Sequence, residues 1–434
     1  MKKQLAPWIW VPTLYFAEGL PYFIVNNISA LIFVKMGMGN AEMALHTSLL
    51  YLPWLIKPFW SPFVDILKTK RWWVVVMELL LTACFLLTAF SIPSLSKETI
   101  SAGEVPATTF RITLAIFWIT AFASATHDIA ADGFYMLGLS GKEQSLFVGI
   151  RSTFYRIASL FVLGALVVFA GILELRFDSI PLSWKFALLL IAIIFGAISL
   201  LHLFLLPKPS DDKPRNTAAK EILKDFGNTF ATFFKKPLAW YGIAFMLLYR
   251  LPEAFTLKIV PAFLVDSTEH GGLALSTVNY GLINNTIGVI GLVTGGIFGG
   301  WLISRAGLKK SLWSMGLSLA LPCGAYLAMS LMHTVPLWLI GTFVAIEQFG
   351  YGFGFTAYMM YMILVSEGEF KTSHYSLCTA FMAASIMLPG LFAGALQEAM
   401  GYSGYFIFVM VSCLATVAAV LIARHGLDPE YGKK

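Results

Sequence analysis

Gly299-Gly300-Trp301-Leu302-Ile303-Ser304-Arg305-Ala306-Gly307-Leu308-Lys309-Lys310 is a short basic turn with a long apolar run on either side. The run before it covers 277–303 and the run after it 312–333. Each matches the ~20 residues a helix needs to cross a bilayer core of about 30 Å. A turn this short forces the two runs to be antiparallel. The paired glycines let a helix come close to its neighbour, and the basic residues mark one side of the membrane.

Outward from this turn the same pattern recurs along the chain. Apolar stretches of spanning length lie at 8–34, 41–66, 72–92, 110–137, 149–174, 184–206, 238–265, 277–303, 312–333, 337–365, 374–399 and 405–423, which makes twelve. Only 12% of the 434 residues are charged, against 58% hydrophobic. Soluble domains carry about 25% charge, so the solvent of this chain is mostly lipid. The net charge of +6 then marks orientation, and nucleic acid is excluded as a partner. Cys84, Cys323, Cys378 and Cys413 sit in apolar runs without paired spacing, as small hydrophobes. Met1-Lys2-Lys3 precedes a long apolar run without a small-residue cleavage site, so that run is expected to remain as the first span.

An even number of spans puts both termini on one side. With the N-terminus in the cytoplasm, twenty of the thirty basic residues fall inside and only Lys35, Lys97, Arg111, Arg176 and Lys185 outside. The positive-inside rule therefore predicts cytoplasmic termini in a bacterial inner membrane. The remaining five, Lys57, Arg151, Arg156, Arg250 and Lys258, lie within spans.

The longest loop, 207–237, divides the chain into bundles at 1–206 and 238–434. Within it Ile222, Phe226, Phe230 and Phe233 recur at helical spacing among lysines. Two readings stay open: an amphipathic helix on the inner leaflet, or a linker helix packed under the bundle. The halves echo one another. Leu20-Pro21 matches Leu251-Pro252, Lys70-Arg71 matches Lys309-Lys310, and Phe154 matches Phe381. Two pseudo-symmetric six-helix bundles around a midplane site follow from such repeats.

The turn quoted first closely fits the Gly-x-Leu-x-x-Arg-x-Gly-x-Lys-Lys loop signature of major facilitators, with a degenerate counterpart at Phe63–Arg71. A narrower set accompanies it: Phe16-Ala17-Glu18-Gly19-Leu20-Pro21, Lys57-Pro58-Phe59-Trp60-Ser61-Pro62-Phe63-Val64-Asp65, Ala123–Asp132, Tyr155-Arg156, and Leu248-Tyr249-Arg250-Leu251-Pro252-Glu253-Ala254-Phe255. Over nearly the whole chain this resembles the AmpG-type muropeptide permeases, a branch of the major facilitator superfamily related to acetyl-coenzyme A transporters. The resemblance implies the all-α major facilitator fold and proton-driven import of an N-acetylglucosaminyl-anhydromuramyl unit, with or without peptide. Glu18 and His127 stand where those permeases carry a small residue and a glutamine.

A charge at the bilayer centre costs at least about 2.5–3.5 kcal/mol, so each one needs a partner, water or a function. Lys57, Asp128, Asp132 and Arg156 share a depth near the cytoplasmic face, and Asp128 and Asp132 share a helix face. They are expected to approach one another as a gate, together with Asp65, Arg305, Lys309 and Lys310. Glu18, Arg250, Glu253 and Glu347 lie near mid-depth, beside prolines that break the helix ladder. Glu18, Asp128, Asp132 and Glu347 are the candidates for proton coupling. Glu18 ranks first, because no base lies near it on its own helix, and Glu347 is expected to pair with Arg250. The substrate candidates are Asn26, Asn27, Arg250, Glu253, Lys258, Asn284, Asn285, Gln348, Tyr351 and Tyr358: amides and hydroxyls for sugar groups, cations for a carboxylate. His127 is set aside as a hydrogen-bonded neighbour of Asp128.

No Walker loop, catalytic set or metal-ligand cluster is present, so no enzyme, cofactor or metal is expected. The expected partners are an anionic amino-sugar or glycopeptide, the proton and membrane lipid, with the chain acting as a monomer. Alternatives are the same fold carrying sialic acid, another oligosaccharide or a coenzyme A thioester, or a sensor that binds without transporting.

Overall fold

The computed structural model describes residues 7–103, 105–139, 141–210, 212–213, 227–228, 230–332, 334–367, 371–425 and 427–432. Among the described residues, nine helices are long and apolar enough to cross a membrane. The last, Lys371–Arg424, is two spans joined at Gly401, whose φ of 67° breaks the helix. Two more spans are each built of two shorter helices, Asn40–Leu49 with Leu52–Leu67 and Ala239–Leu248 with Leu251–Val265. Twelve spans result among the described residues. They are numbered here in chain order, so the broken ones are spans 2 and 7 and the last pair spans 11 and 12.

The chain forms two compact units, Met1–Met38 with Ile56–Lys224, and Gly39–Leu55 with Asp225–Lys434. In the first unit, span 1 (Pro7–Lys35) changes to a wider π turn at Ile24–Ile28. Pro21 lacks the N–H that would bond the carbonyl four residues back, and the ladder re-forms with a different pitch just beyond it. Gly19 lets span 5 press on span 1, because a Cβ there would lie 2.7 Å from the Ala158 Cβ.

The second unit shows what the glycines of the opening stretch do. Span 8 (Thr277–Ala306) lies backbone to backbone against span 10 (Leu337–Ser366). A Cβ on Gly291 would stand 2.7 Å from the Ala345 carbonyl and one on Gly299 2.9 Å from the Phe353 carbonyl, while one on Gly295 would overlap the Phe349 carbonyl. Lipid offers no hydrophobic drive between helices, so this close packing is what holds them. Gly307 then takes φ 80°, turning the chain into span 9. The segment Asn40–Leu49 also belongs to this unit and packs on span 11, where Gly390 and Gly394 leave room for Ser48 and for the Asn40 carbonyl. Asn40 donates to Gln397 (2.8 Å) and to the Tyr402 hydroxyl (3.1 Å).

The matched basic pairs do matching work within their own units. Arg71 donates to the carbonyls of Leu203 (2.6 Å) and Leu206 (3.1 Å), at the end of span 6. Lys309 donates to the Leu427 carbonyl (2.8 Å), just past span 12. A cation on the last carbonyls of a helix is favourable because they carry its negative end. Of the linker's apolar stripe, Phe233 is fully buried in the second unit's core with Phe230 packed against it, which favours a helix end held by protein. Ile222 and Phe226 lie outside the described residues.

Candidate functional site

In the first unit the expected gate is rearranged. Lys57 Nζ and Asp128 Oδ2 pair at 2.5 Å. Asp132, one helical turn on, pairs with Arg151 at 3.1 Å and accepts from the Tyr15 hydroxyl at 3.0 Å. Arg151 also lies over the Tyr15 ring, 4.6 Å from its centroid. Arg156, expected in this cluster, is exposed instead and makes no ion pair among the described residues. The reason is helix geometry: five residues apart, Arg151 and Arg156 lie about 140° apart around span 5, so the rotation that turns Arg151 to Asp132 turns Arg156 away. The side chain of Asp65 lies outside those described.

Glu18 is buried beside these pairs. The charges facing it are Asp132, Asp128 and Arg151, and its Oε2 is a buried oxygen without a hydrogen-bond partner. Both nearby bases are already held by aspartates. Asn26, on the π turn, is buried with neither amide atom satisfied, and Asn27 is half-buried next to it.

His127 is not the lone histidine the sequence suggested. Its Nε2 lies 3.2 Å from Glu78 Oε1, and the same oxygen is 2.6 Å from His202 Nδ1. Glu78 and His202 were missed in sequence. Each is an isolated ionisable residue deep in a strongly apolar stretch, and they lie 124 positions apart.

In the second unit span 7 breaks at Tyr249–Arg250, immediately before Pro252 in the first turn of the following helix. The break points Arg250 inward, where its side chain is 2% exposed. Arg250 Nε lies 3.0 Å from Glu253 Oε2, and Nη2 donates to the Tyr351 hydroxyl at 3.1 Å. Phe355, Tyr351 and Tyr358 surround the guanidinium at 4.8–5.5 Å. Glu347 is therefore not the partner of Arg250, because Glu253 takes that place from one turn away on the same helix. Glu347 instead accepts from Tyr326 (3.2 Å) and Gln348 (2.9 Å). Tyr358 is tied to the Met246 carbonyl (3.0 Å). Asn284 and Asn285 sit on a second π stretch, Gly281–Ile287, bonded to each other and to Tyr280.

Lys258 is a buried base of this unit whose Nζ lies 5.6 Å from the centroid of the Tyr51 ring. It makes no ion pair among the described residues, and its one hydrogen bond is to the Thr47 hydroxyl at 3.0 Å. An ammonium carries three donors, so most of its capacity is unused. Arg305 is exposed and stacks on Trp301, and Lys310 is exposed.

This arrangement of spans has known counterparts. The chain is 24% identical to the anhydromuropeptide permease of Escherichia coli K12 over 422 residues, 95% of this chain and 79% of that protein. It is 25% identical to the transporter AmpG 4 of Rickettsia conorii over 92% of this chain and 91% of that one. The nucleoside transporter NupG superposes with a TM-score of 0.70 at 17% identity, covering 95% and 98% of the two chains. The family model of the Major Facilitator Superfamily matches residues 13–367. A twelve-span transporter, and not an enzyme, is what these residues build, and the chain belongs to the Major Facilitator Superfamily.

Proposed function

We propose that this transporter imports an anhydromuropeptide-like amino-sugar fragment across the inner membrane by alternating access, driven by protons, with both termini in the cytoplasm. The observation that carries the proton reading is the charge count around Glu18. Three carboxylates, Glu18, Asp128 and Asp132, face two bases, Lys57 and Arg151, and each base is held by an aspartate. Glu18 is left without a counter-charge, and one proton makes the group neutral. A proton descending 100 mV and one pH unit supplies about 3.7 kcal/mol, enough for roughly 500-fold accumulation.

The cargo reading rests on the names of the relatives and on Lys258. A buried ammonium held by one hydroxyl and one aromatic face, with no carboxylate beside it among the described residues, suits a carboxylate that arrives with the substrate. Asn26 offers an unsatisfied amide to a hydroxyl or acetamido group.

The test is uptake of labelled N-acetylglucosaminyl-anhydromuramic acid into proteoliposomes under an imposed proton gradient. Accumulation above the external level that collapses with a protonophore is expected. Accumulation that ignores the protonophore overturns the coupling. Absence of uptake and of counterflow overturns the cargo.

A further inference from the structure

Four helices of the first unit meet at Glu78. His202 from span 6 and His127 from span 4 both address its Oε1, and Thr13 from span 1 lies 2.8 Å from His202 Nε2. Glu78, His127 and His202 are sealed from solvent, at 0%, 0% and 1% exposure. Among the described residues no other titratable side chain addresses Glu78. Lys57 is held by Asp128, the next residue after His127.

Proton counting constrains this cluster. The Thr13 hydroxyl reaches the Ile9 carbonyl at 3.0 Å. If it donates there, His202 Nε2 must donate to Thr13, and Nδ1 then either donates to an ionised Glu78 from an imidazolium or accepts from a protonated Glu78, so the cluster holds one extra proton either way. If Thr13 turns to His202, that ring is neutral and the carboxylate has no counter-charge. A sealed carboxylate between two neutral rings is the costly state. One bound proton makes the cluster neutral wherever it sits. A cluster that only pinned helices would be fully satisfied. Here Glu78 Oε2 and His127 Nδ1 are both buried and unpartnered, which gives the proton alternative positions.

We infer that Glu78, His127 and His202 form a second proton-binding site, distinct from the Glu18 group, and that its occupancy tunes transport through Asp128. Loss of its proton leaves a net negative charge on the cluster, whose His127 directly precedes Asp128 on span 4, and so shifts the charge balance at the Lys57–Asp128 pair. The regulatory half of this inference rests on the transporter reading, whereas the proton site does not.

Two measurements test it. In purified protein with ¹⁵N-labelled histidine, one of the seven histidines should be an imidazolium at neutral pH and lose that signal in Glu78→Gln, or infrared spectra should show a protonated carboxyl that Glu78→Gln removes. Neutral rings together with an ionised Glu78 overturn the site. Exchange of labelled N-acetylglucosaminyl-anhydromuramic acid at equal concentrations should fall at alkaline pH in the wild type. Glu78→Gln cannot acquire the negative charge, so its fall should begin roughly one pH unit higher, and Glu78→Asp should restore the wild-type profile. Coincident profiles overturn the regulatory role. If Glu78→Gln does not fold, His127→Gln removes only the weaker-held ring and should shift the same profile. Failure of all exchange with an intact imidazolium signal would sink the cargo reading and leave the site standing.

Discussion

The two units dispose of buried charge in opposite ways, and what each leaves over has opposite sign. The first unit sets Lys57 on Asp128 and Arg151 on Asp132 and leaves a carboxylate, Glu18. The second sets Arg250 on Glu253, satisfies Glu347 with Tyr326 and Gln348, and leaves an ammonium, Lys258. A paired charge inside lipid is scaffold, because removing one member strands the other. A left-over charge is costly in the resting protein and is retained where a ligand completes it. The proton and the anionic cargo would then be divided between the units.

The largest effect should come from breaking a pair. Arg250→Leu strands Glu253, which is 3% exposed, and should cost about 3–5 kcal/mol of stability. Arg250→Leu with Glu253→Gln should recover most of that loss. Thermal unfolding in detergent checks it, and equal losses in the single and double variants would mean the pair is not what holds Arg250.

Next in size is the left-over acid. Glu18→Gln mimics the protonated form, so uphill accumulation should drop from roughly 500-fold to parity, about 3.7 kcal/mol of coupling. Exchange at equal concentrations needs no net proton movement and should continue. A Glu18→Gln protein that still concentrates substrate with normal pH dependence would move the coupling role elsewhere, with the Glu78 cluster first in line.

The left-over base should behave inversely to Arg250. Lys258→Met removes an unneutralised cation, so the ligand-free protein should be no less stable. Affinity for an anionic substrate should fall by about 1.5–3 kcal/mol, a 10–150-fold rise in KM, from one lost charge-assisted bond. A neutral amino-sugar analogue should lose much less. Equal loss for charged and neutral substrates would show that Lys258 holds structure and not an anion.

Much of this was legible in sequence because span length, basic turns and prolines are local signals. The break in span 7 falls beside the Leu251-Pro252 motif, whereas the Arg250–Glu253 pair, at the spacing of one helical turn, is passed over in favour of Glu347 when the sequence is read alone. What stayed hidden depends on register between helices distant in the chain. Arg151 and Arg156 are both basic residues of span 5. They lie about 140° apart around the helix, and only its rotation against span 4 decides which one faces Asp132. Glu78 and His202 each interrupt an apolar run once, and nothing within either run points to the other. The packing of Asn40–Leu49 with the second unit is likewise a property of Gly390 and Gly394, far away in sequence.

The smallest effect sharpens the comparison at the point where the units agree. Arg71 and Lys309 belong to the two matched basic pairs, and each ties its turn to the end of its own unit, Arg71 through two bonds to carbonyls at the end of span 6 and Lys309 through one bond to a carbonyl just past span 12. Arg71→Met should therefore cost about 1–2 kcal/mol and Lys309→Met about 0.5–1 kcal/mol. The planar guanidinium reaches two carbonyls at once, which a single ammonium cannot do in the same geometry. Arg71→Lys should lose about half of the Arg71 contribution, whereas Lys309→Arg should cost nothing. Thermal unfolding of the four variants at low salt reads these differences, and raising the salt should shrink them where the caps are exposed. If Lys309→Met proves the costlier change, the capping bonds are incidental, and the basic pair of the second unit is retained for the turn at Gly307 instead.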